Sequence, residues 1–533
     1  MSETAITQPL FPLGQNQNVG KSAKEKIRNT LTDELIIAIC APIGSSRELV
    51  LAEIKKILEK DYKYDVQPLK LSDYIQKYNP ISNSLKPGET KQYTFLMNKI
   101  NGGDELRRKF GASVLAEIAI NEIHLSRYEE DKNTMLFKNI EQLKSRRKCF
   151  IIDSLKNKEE LDLLREVYKD IFYFFSVFSP LQERVKNLTD KGLSPHEVNS
   201  IIETDNFENN QHGQNVKDTF IAADFFVRVS EENYNGLNEK IDRYLNMIFD
   251  NKIVTPYPHE VAMYEAQSVA GNSSCLSRQV GAAITNEKGE IISRGWNDVP
   301  KFGGNLYREG DSADNRCKHR GYCSNDKTKD SVTDDILNAV LNDKYLIANL
   351  FGGKKIKLDD DLYMTIKRVI RKSTRIKDLI EFSRSVHAEM HAIIIGSQLA
   401  GNKMVGGKLF CTTYPCHNCA RHLIVAGIKE IYYIEPYSKS LCLALHNDAI
   451  TEDETDGSKV KLLVYDGVAP RRYLEFFLMN RPRKNQDGKV SQEFQDFLNP
   501  KARLSLQALP TLEQQAIHSL YERGLLKQNE KED

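Results

Sequence analysis

Two short stretches concentrate side chains able to bind a transition metal: SVHAEMHAII at residues 385–394 and CTTYPCHNCARH at residues 411–422. Cys416 and Cys419 stand two residues apart, and at the start of a helix that spacing turns both sulfurs toward one point. A helix N-terminus lowers thiol pKa values, and thiolates suit zinc. His387, on a neighbouring helix, supplies a third ligand, the count of a catalytic zinc that keeps its fourth position for water. Glu389 lies two residues further on, close enough to take a proton from that water without binding the metal, and zinc brings the water's pKa toward about 7. His391 follows His387 by four residues, a spacing that zinc also uses in H-E-x-x-H. Glu389 is one place too late for that motif, so the expectation for His391 is a packed or hydrogen-bonding histidine. His417 and His422 read as surface or supporting groups, since a fourth protein ligand would displace the water. A second cluster, NRCKHRGYC, holds Cys317, His319 and Cys323, with Cys275 of SSCLSRQVGA as a candidate fourth member. Cys40, Cys149, Cys411 and Cys442 sit among apolar or Thr neighbours and read as small buried residues.

The elements that must position these groups follow from pattern. At roughly 150 residues per domain, a chain of 533 residues suggests two to four domains. Lys and Arg total 75 against 74 Asp and Glu, a balance that argues against a large nucleic-acid surface. The apolar runs fall far short of the roughly 20 residues of a membrane span, and the start lacks a signal peptide's basic and apolar regions. The expectation is a cytoplasmic protein with no membrane partner, whose nine cysteines are reduced. Residues 1–30 are polar and read as a flexible arm. The run from Leu35 to Ile39 reads as a buried strand. Pro42, Gly44, Ser45 and Ser46 then form a turn, and Leu49, Val50, Ile54, Ile57 and Leu58 follow at helical spacing. Strand, turn and helix set a helix N-terminus where it could hold phosphate. Further alternation of strands and helices predicts a parallel α/β sheet over residues 31–230. Prolines at 256 and 258 place a boundary at residues 250–260. Beyond it come a helix, a β-hairpin ending in GWNDVP, a charged insertion at about 326–383, the HAE helix, the strand KLFCTT, a helix from Cys416, and the strands EIYYIEP and KLLVYDG. A tail starts at 481, with an amphipathic helix expected at 512–526.

HAE followed by PCHNC resembles the zinc-dependent cytidine and deoxycytidylate deaminases over about residues 255–480. The resemblance implies a cytidine-deaminase-like three-layer α/β/α domain, with zinc on His387, Cys416 and Cys419. It implies Glu389 as the group that activates water, protonates the pyrimidine N3 and helps expel ammonia. It also implies Asn297 and Tyr414 as substrate contacts, and a second, structural zinc on Cys275, Cys317, His319 and Cys323. The alternative for that cluster is a loop of reduced cysteines. Candidate phosphate contacts are Lys301, Arg278, Arg471 and Arg472.

The N-terminal half, residues 31–245, resembles the P-loop kinases of nucleotide and coenzyme metabolism in degenerate form. The Walker A positions hold Ala41, Ser46, Arg47 and Glu48. Gly44, Ser45, Ser46 and Arg47 are its candidate nucleotide-binding residues, but Glu48 replaces the magnesium-binding hydroxyl and would repel phosphate. The two-domain arrangement resembles the bacterial anti-phage dCTP deaminases. That likeness implies deamination of dCTP or dCMP, a nucleotide regulator at the N-terminal domain, and a homo-oligomer. Two alternatives stand beside it: a nucleic-acid cytidine deaminase using the basic stretches GGKKIK and IKRVIRKSTRIK, and a non-catalytic regulator that keeps the zinc fold.

Overall fold

The first apolar run is a strand, β1 (Leu35–Cys40), with all six residues buried. The computed structural model describes residues 22–28, 30–79, 87–130, 145–207, 216–345, 359–437, 440–490, 498–506 and 508–526. Most of the expected N-terminal arm and the GGKKIK stretch lie outside them. The chain divides into two units, Met1–Thr255 with Asp466–Asp533, and Pro256–Tyr465. Among the described residues no helix is long and apolar enough to cross a membrane.

In the first unit β1 lies between β3 (Lys148–Asp153) and β4 (Phe172–Phe178), flanked in turn by β2 (Asp65–Lys70) and β5 (Phe225–Arg228). The order β5-β4-β1-β3-β2 is parallel throughout. β1, β3 and β4 are buried along their whole length, the continuous pattern of strands covered on both faces. β2 was not anticipated from the sequence. It is an edge strand, half polar, that buries Val66 and Leu69 among exposed or half-exposed neighbours, and it carries Pro68, which an edge tolerates.

The C-terminal boundary differs from expectation. Residues 466–480 were assigned to the second domain and 481–533 to a tail, but both belong to the first unit. A short strand, Gly467–Val468, pairs antiparallel with β5. Phe476 stacks on Phe225 at 4.7 Å and with Phe477 enters the first core. The expected amphipathic helix forms at Leu509–Glu522 and buries Ile517 and Leu520. It packs against the helix Val114–Glu130. Arg127 of that helix bonds both Glu34 and Glu513, and all three side chains are buried. Apolar burial and an internal ion network, rather than sequence proximity, decide which unit takes this segment.

The second unit is one six-stranded sheet in the order β10-β11-β9-β8-β6-β7. Its strands are β6 (Gly281–Thr285), β7 (Ile291–Trp296), β8 (Lys408–Thr413), β9 (Glu430–Glu435), β10 (Ile450–Thr451) and β11 (Val460–Val464). β6 and β7 form the expected antiparallel hairpin, and Gly295 pairs across it with Ala282. Paired residues share a face while sequence neighbours alternate, so Gly281 and Gly295 look to opposite faces. A Cβ on Gly281 would fall 1.9 Å from Ala266 O of the helix Pro258–Ala270. A Cβ on Gly295 would fall 2.3 Å from Ala388 O of the helix Ala388–Ala400. The two helices therefore cover opposite faces, which makes three layers, α/β/α.

The insertion is a helical hairpin, Ser324–Asn342 and Asp360–Ser373. Asp326, Asp330 and Asp334, one turn apart on the first helix, meet Arg371, Lys367 and Tyr363 of the second. Arg371 bonds Asp326 and Asp330 at 2.8 and 2.9 Å, and Asp334 takes Lys367 and Tyr363 at 2.7 and 3.0 Å. Lys367 and Arg371, two of the six cations of the stretch IKRVIRKSTRIK, are thus neutralised inside the hairpin.

Candidate metal and catalytic centre

His387 is the residue before the helix Ala388–Ala400, in extended conformation. The donation from Val386 N to Asp298 O, 2.9 Å, ties the approach to that helix to the segment after β7. The close contact at Gly295 sets the helix against β7. His391 pins the same contact: its Nδ1 accepts from Trp296 N at 3.2 Å and its Nε2 faces Asn305 Oδ1 at 3.1 Å. This fixes a neutral ring with its proton on Nε2, consistent with burial lowering its pKa. His391 thus packs and bonds, as expected, and does not join the metal group.

Cys416 caps the helix His417–Val425, its sulfur accepting from Cys419 N. His387 Nδ1 lies 3.4 Å from Cys416 Sγ and 3.3 Å from Cys419 Sγ. A tetrahedral zinc with bonds of about 2.3 Å to sulfur and about 2.0 Å to nitrogen holds such atoms about 3.5 Å apart. The donor set and its spacing therefore fit the ion. Among the described residues this is the one group of three or more His, Cys, Asp or Glu whose ligand atoms meet closely enough to hold a metal.

The electrostatics agree. The Cys419 thiol donates to Cys416 and outweighs burial; with His387 it holds the Cys416 thiol down to about 4. Cys416 and burial push Cys419 well up. Burial disfavours a charged His387, yet Cys416 and Glu389 carry it up to about 9. Donors competing for protons in a dry site are those from which a cation displaces protons. Glu389 is 4% exposed. Burial raises its carboxyl to about 7, suited to giving and taking protons near neutrality.

These groups open into a cavity of about 290 Å³ that reaches His387, Glu389, Cys416, Asn297 and Tyr414. That volume lies at the lower end for small-molecule sites, about 300–1,000 Å³. Asn297 lines it but uses both amide ends on backbone: Oδ1 accepts from Val280 N at 2.8 Å and Nδ2 donates to Arg278 O at 2.9 Å. It shapes the 278–280 segment as well as facing the cavity. Tyr414 packs edge-on to Tyr433 at 4.8 Å.

Other expectations are corrected. Among the described residues the four proposed ligands of a second zinc do not form a group whose ligand atoms meet closely enough to hold an ion. Cys275 lines the same cavity as His387 and Glu389. His319 Nε2 meets Asp314 at 3.0 Å. Cys317 starts one short helix, and Cys323 caps the next with its sulfur 3.9 Å from Ser277 Oγ. The loop is organised by Arg316, which is 2% exposed and bonds Asp314 and Asp298. Lys301 pairs with Asp311 at 3.0 Å. Arg471 and Arg472 belong to the first unit, where Arg471 bonds Asp224 and Arg472 lies on Phe476. None of these three lines the cavity; of the four candidate phosphate contacts, Arg278 does. Sequence reasoning missed Asn325, Lys329 and Lys377, insertion residues that also line it. Charged helical periodicity carried no signal for them.

In the loop after β1, Gly44 has φ +84, and the Arg184 backbone packs where a Cβ would stand. Ile43 N donates to Asp205, Ser45 N to Pro42 O, Ser46 N to Ser179 Oγ, and Arg47 N to Ser45 O. Arg47 itself bonds Asp153 at 2.8 Å and Glu48 at 3.3 Å. A phosphate nest needs such N–H groups free. Here protein acceptors hold these four.

Fold and site together define an α/β unit built to hold one metal beside a buried carboxylate. Residues 256–435 match the family model described as the cytidine and deoxycytidylate deaminase zinc-binding region, so zinc is the cofactor of this class of site. The deoxycytidylate deaminase of Enterobacteria phage T2 is 25% identical over 179 residues, spanning 33% of this chain and 78% of that protein. That of Enterobacteria phage T4 is 28% identical over 176 residues, spanning 33% and 76%. The dCMP deaminase of cyanophage S-TIM5, solved with dCMP and dUMP, is 19% identical with a TM-score of 0.22, covering 40% of this chain and 99% of that one.

Proposed function

We propose that the chain is a hydrolytic deaminase of deoxycytidine nucleotides, dCMP and dCTP, with zinc on His387, Cys416 and Cys419. The observation that carries this reading is Glu389, a buried carboxyl beside that donor set in a cavity of the matched region. When bound, zinc supplies the acidity that lets water lose a proton near pH 7. Glu389 takes that proton as water adds to C4 of the cytosine and delivers it to N3. It then takes the second proton from the hydroxyl now on C4 and passes it to the amino group, which leaves as ammonia, and the water oxygen remains as the uracil carbonyl. Tyr414 forms part of the wall beside the base.

The named relatives support deoxycytidylate as substrate, while dCTP and a part in anti-phage nucleotide depletion rest on the two-domain likeness. The engaged donors of the loop after β1 support a regulatory scaffold in the first unit rather than phosphate transfer. A nucleic-acid editor is disfavoured by the acids that neutralise Lys367 and Arg371. Homo-oligomerisation remains part of the proposal, read by light scattering of the pure chain.

Ammonia release from dCMP and dCTP tests the reading. Glu389→Ala is expected to abolish release, a loss of at least about 10²-fold, while zinc content stays at wild-type level. Deamination of oligonucleotides alone would transfer the assignment to an editor, and activity on neither would leave a zinc-fold regulator. Equal phage plaque numbers with wild type and Glu389→Ala would remove the defence role.

A further inference from the structure

The cavity roof is supplied by the insertion. Asn325 and Lys329 come from the helix Ser324–Asn342, and Lys377 comes from the turn Arg375–Asp378. Two bonds fix roof to helix: Lys329 Nζ donates to Lys377 O at 2.9 Å and Asn325 Nδ2 to Leu379 O at 3.0 Å. The acid–base ladder between the two insertion helices stiffens the mount.

Three cations line this cavity: Arg278, Lys329 and Lys377. Lys329 is buried and its ammonium serves the Lys377 carbonyl. Arg278 lies over the Tyr437 ring at 5.4 Å and bonds Glu435 through Nη1 at 2.9 Å. The rest of its guanidinium is uncommitted among the described residues, and its side chain is 44% exposed. Lys377 is exposed, and among the described residues its ammonium makes no hydrogen bond or ion pair. Of the acids on the same wall, Asp326 is held by Arg371, while Asp378 also lines the cavity. A nucleotide differs from its nucleoside by a dianionic group that needs cations with free N–H donors.

We infer that Lys377 of the insertion, together with Arg278, binds the phosphate of the nucleotide and so sets the preference for nucleotide over nucleoside. This rests on the deaminase reading above. Arg278 offers a planar fork anchored on Glu435 and Tyr437. Lys377 offers a point charge from the insertion's part of the same lining. The insertion is then a specificity element, not a decoration on the surface.

Steady-state kinetics with dCMP, dCTP and deoxycytidine test it on the full chain, comparing wild type, Lys377→Ala, Lys377→Glu, Lys377→Arg and Arg278→Ala. One charged contact is worth about tenfold or more in binding. Lys377→Ala is expected to lower the nucleotide-to-deoxycytidine ratio of kcat/KM by about tenfold, through KM, and Lys377→Glu to lower it further. Lys377→Arg is expected to keep most of the preference, and Arg278→Ala to reduce it. If the wild-type ratio survives in Lys377→Ala and Lys377→Glu while the nucleotides and deoxycytidine are still deaminated, the insertion does not read phosphate and only this inference falls. If wild type deaminates none of the three, the deaminase reading falls with it.

Discussion

Gly295→Ala probes the contact on which the centre is built. A Cβ there would stand 2.3 Å from Ala388 O, 2.4 Å from Ala392 N and 2.9 Å from Ala392 Cα, all backbone of the helix that carries Glu389 and follows His387. Ordinary contact begins near 3.4 Å, so helix and strand must part by about 1 Å. No side-chain rotation can relieve the clash, because the obstructing atoms are backbone. The His387 Nδ1 to sulfur distances of 3.3 and 3.4 Å are already those of a shared ion, and the two cysteines sit together at the start of another helix, which need not follow. A displacement of about 1 Å at a reacting centre costs about 10²-fold in rate, and overpacking of this kind costs about 1–3 kcal/mol of stability. Gly295→Ala is therefore expected to lose about 10² in kcat/KM for dCMP and to release zinc to a chelator faster than wild type. A thermal melt run alongside establishes that the variant is folded. A folded variant with wild-type turnover and zinc retention would refute the claim that this helix–strand contact positions the centre.

Three further outcomes are expected. His391→Phe removes the acceptor of a buried Trp296 N–H, at about 1–3 kcal/mol in denaturant unfolding, but keeps its zinc by elemental analysis; zinc-free protein would make His391 a ligand after all. Glu513→Ala leaves Arg127 buried with Glu34 as its remaining acid in the described network, and breaking such a pair costs about 3 kcal/mol or more; an unchanged unfolding midpoint would show that the C-terminal helix is not docked by charge. Burial alone would raise the Glu34 carboxyl, but Arg127 and Arg146 outweigh it and hold it below the usual carboxylate range. Its folded pKa thus lies under its unfolded one, so its stabilisation is full above about pH 4.3 and is lost as pH falls through the folded value. Circular dichroism should show stability declining as pH falls below about 4.3 and a flatter decline in Glu34→Gln; identical slopes would contradict the pairing.

The metal group was legible because its chemistry is local. Cys416 and Cys419 share one helix start, and His387 and Glu389 are two residues apart at another. Ligand type and spacing specify such a group before any packing is known. Buried strands were legible too, since β1, β3 and β4 each centre on a short apolar run. By contrast β2, half polar and carrying Pro68, looks like a loop until β3 supplies its partner.

The rest was decided by contacts between distant segments. Cys275, Cys317, His319 and Cys323 have the residue types of a zinc site, but Asp314 takes the histidine and Arg316 organises the loop around itself. Arg471 and Arg472 read as candidate phosphate contacts of the second domain, yet Asp224 and Phe476 hold them in the first unit. Lys377 becomes a cavity residue through Lys329, which lies 48 positions away. The sequence by itself determined which side chains could hold a metal and where the covered strands run, because both depend on neighbours a few residues apart. Tertiary structure alone decided which cations remain unpaired and which unit owns the C-terminus, because burial and charge pairing join residues that sequence spacing does not relate.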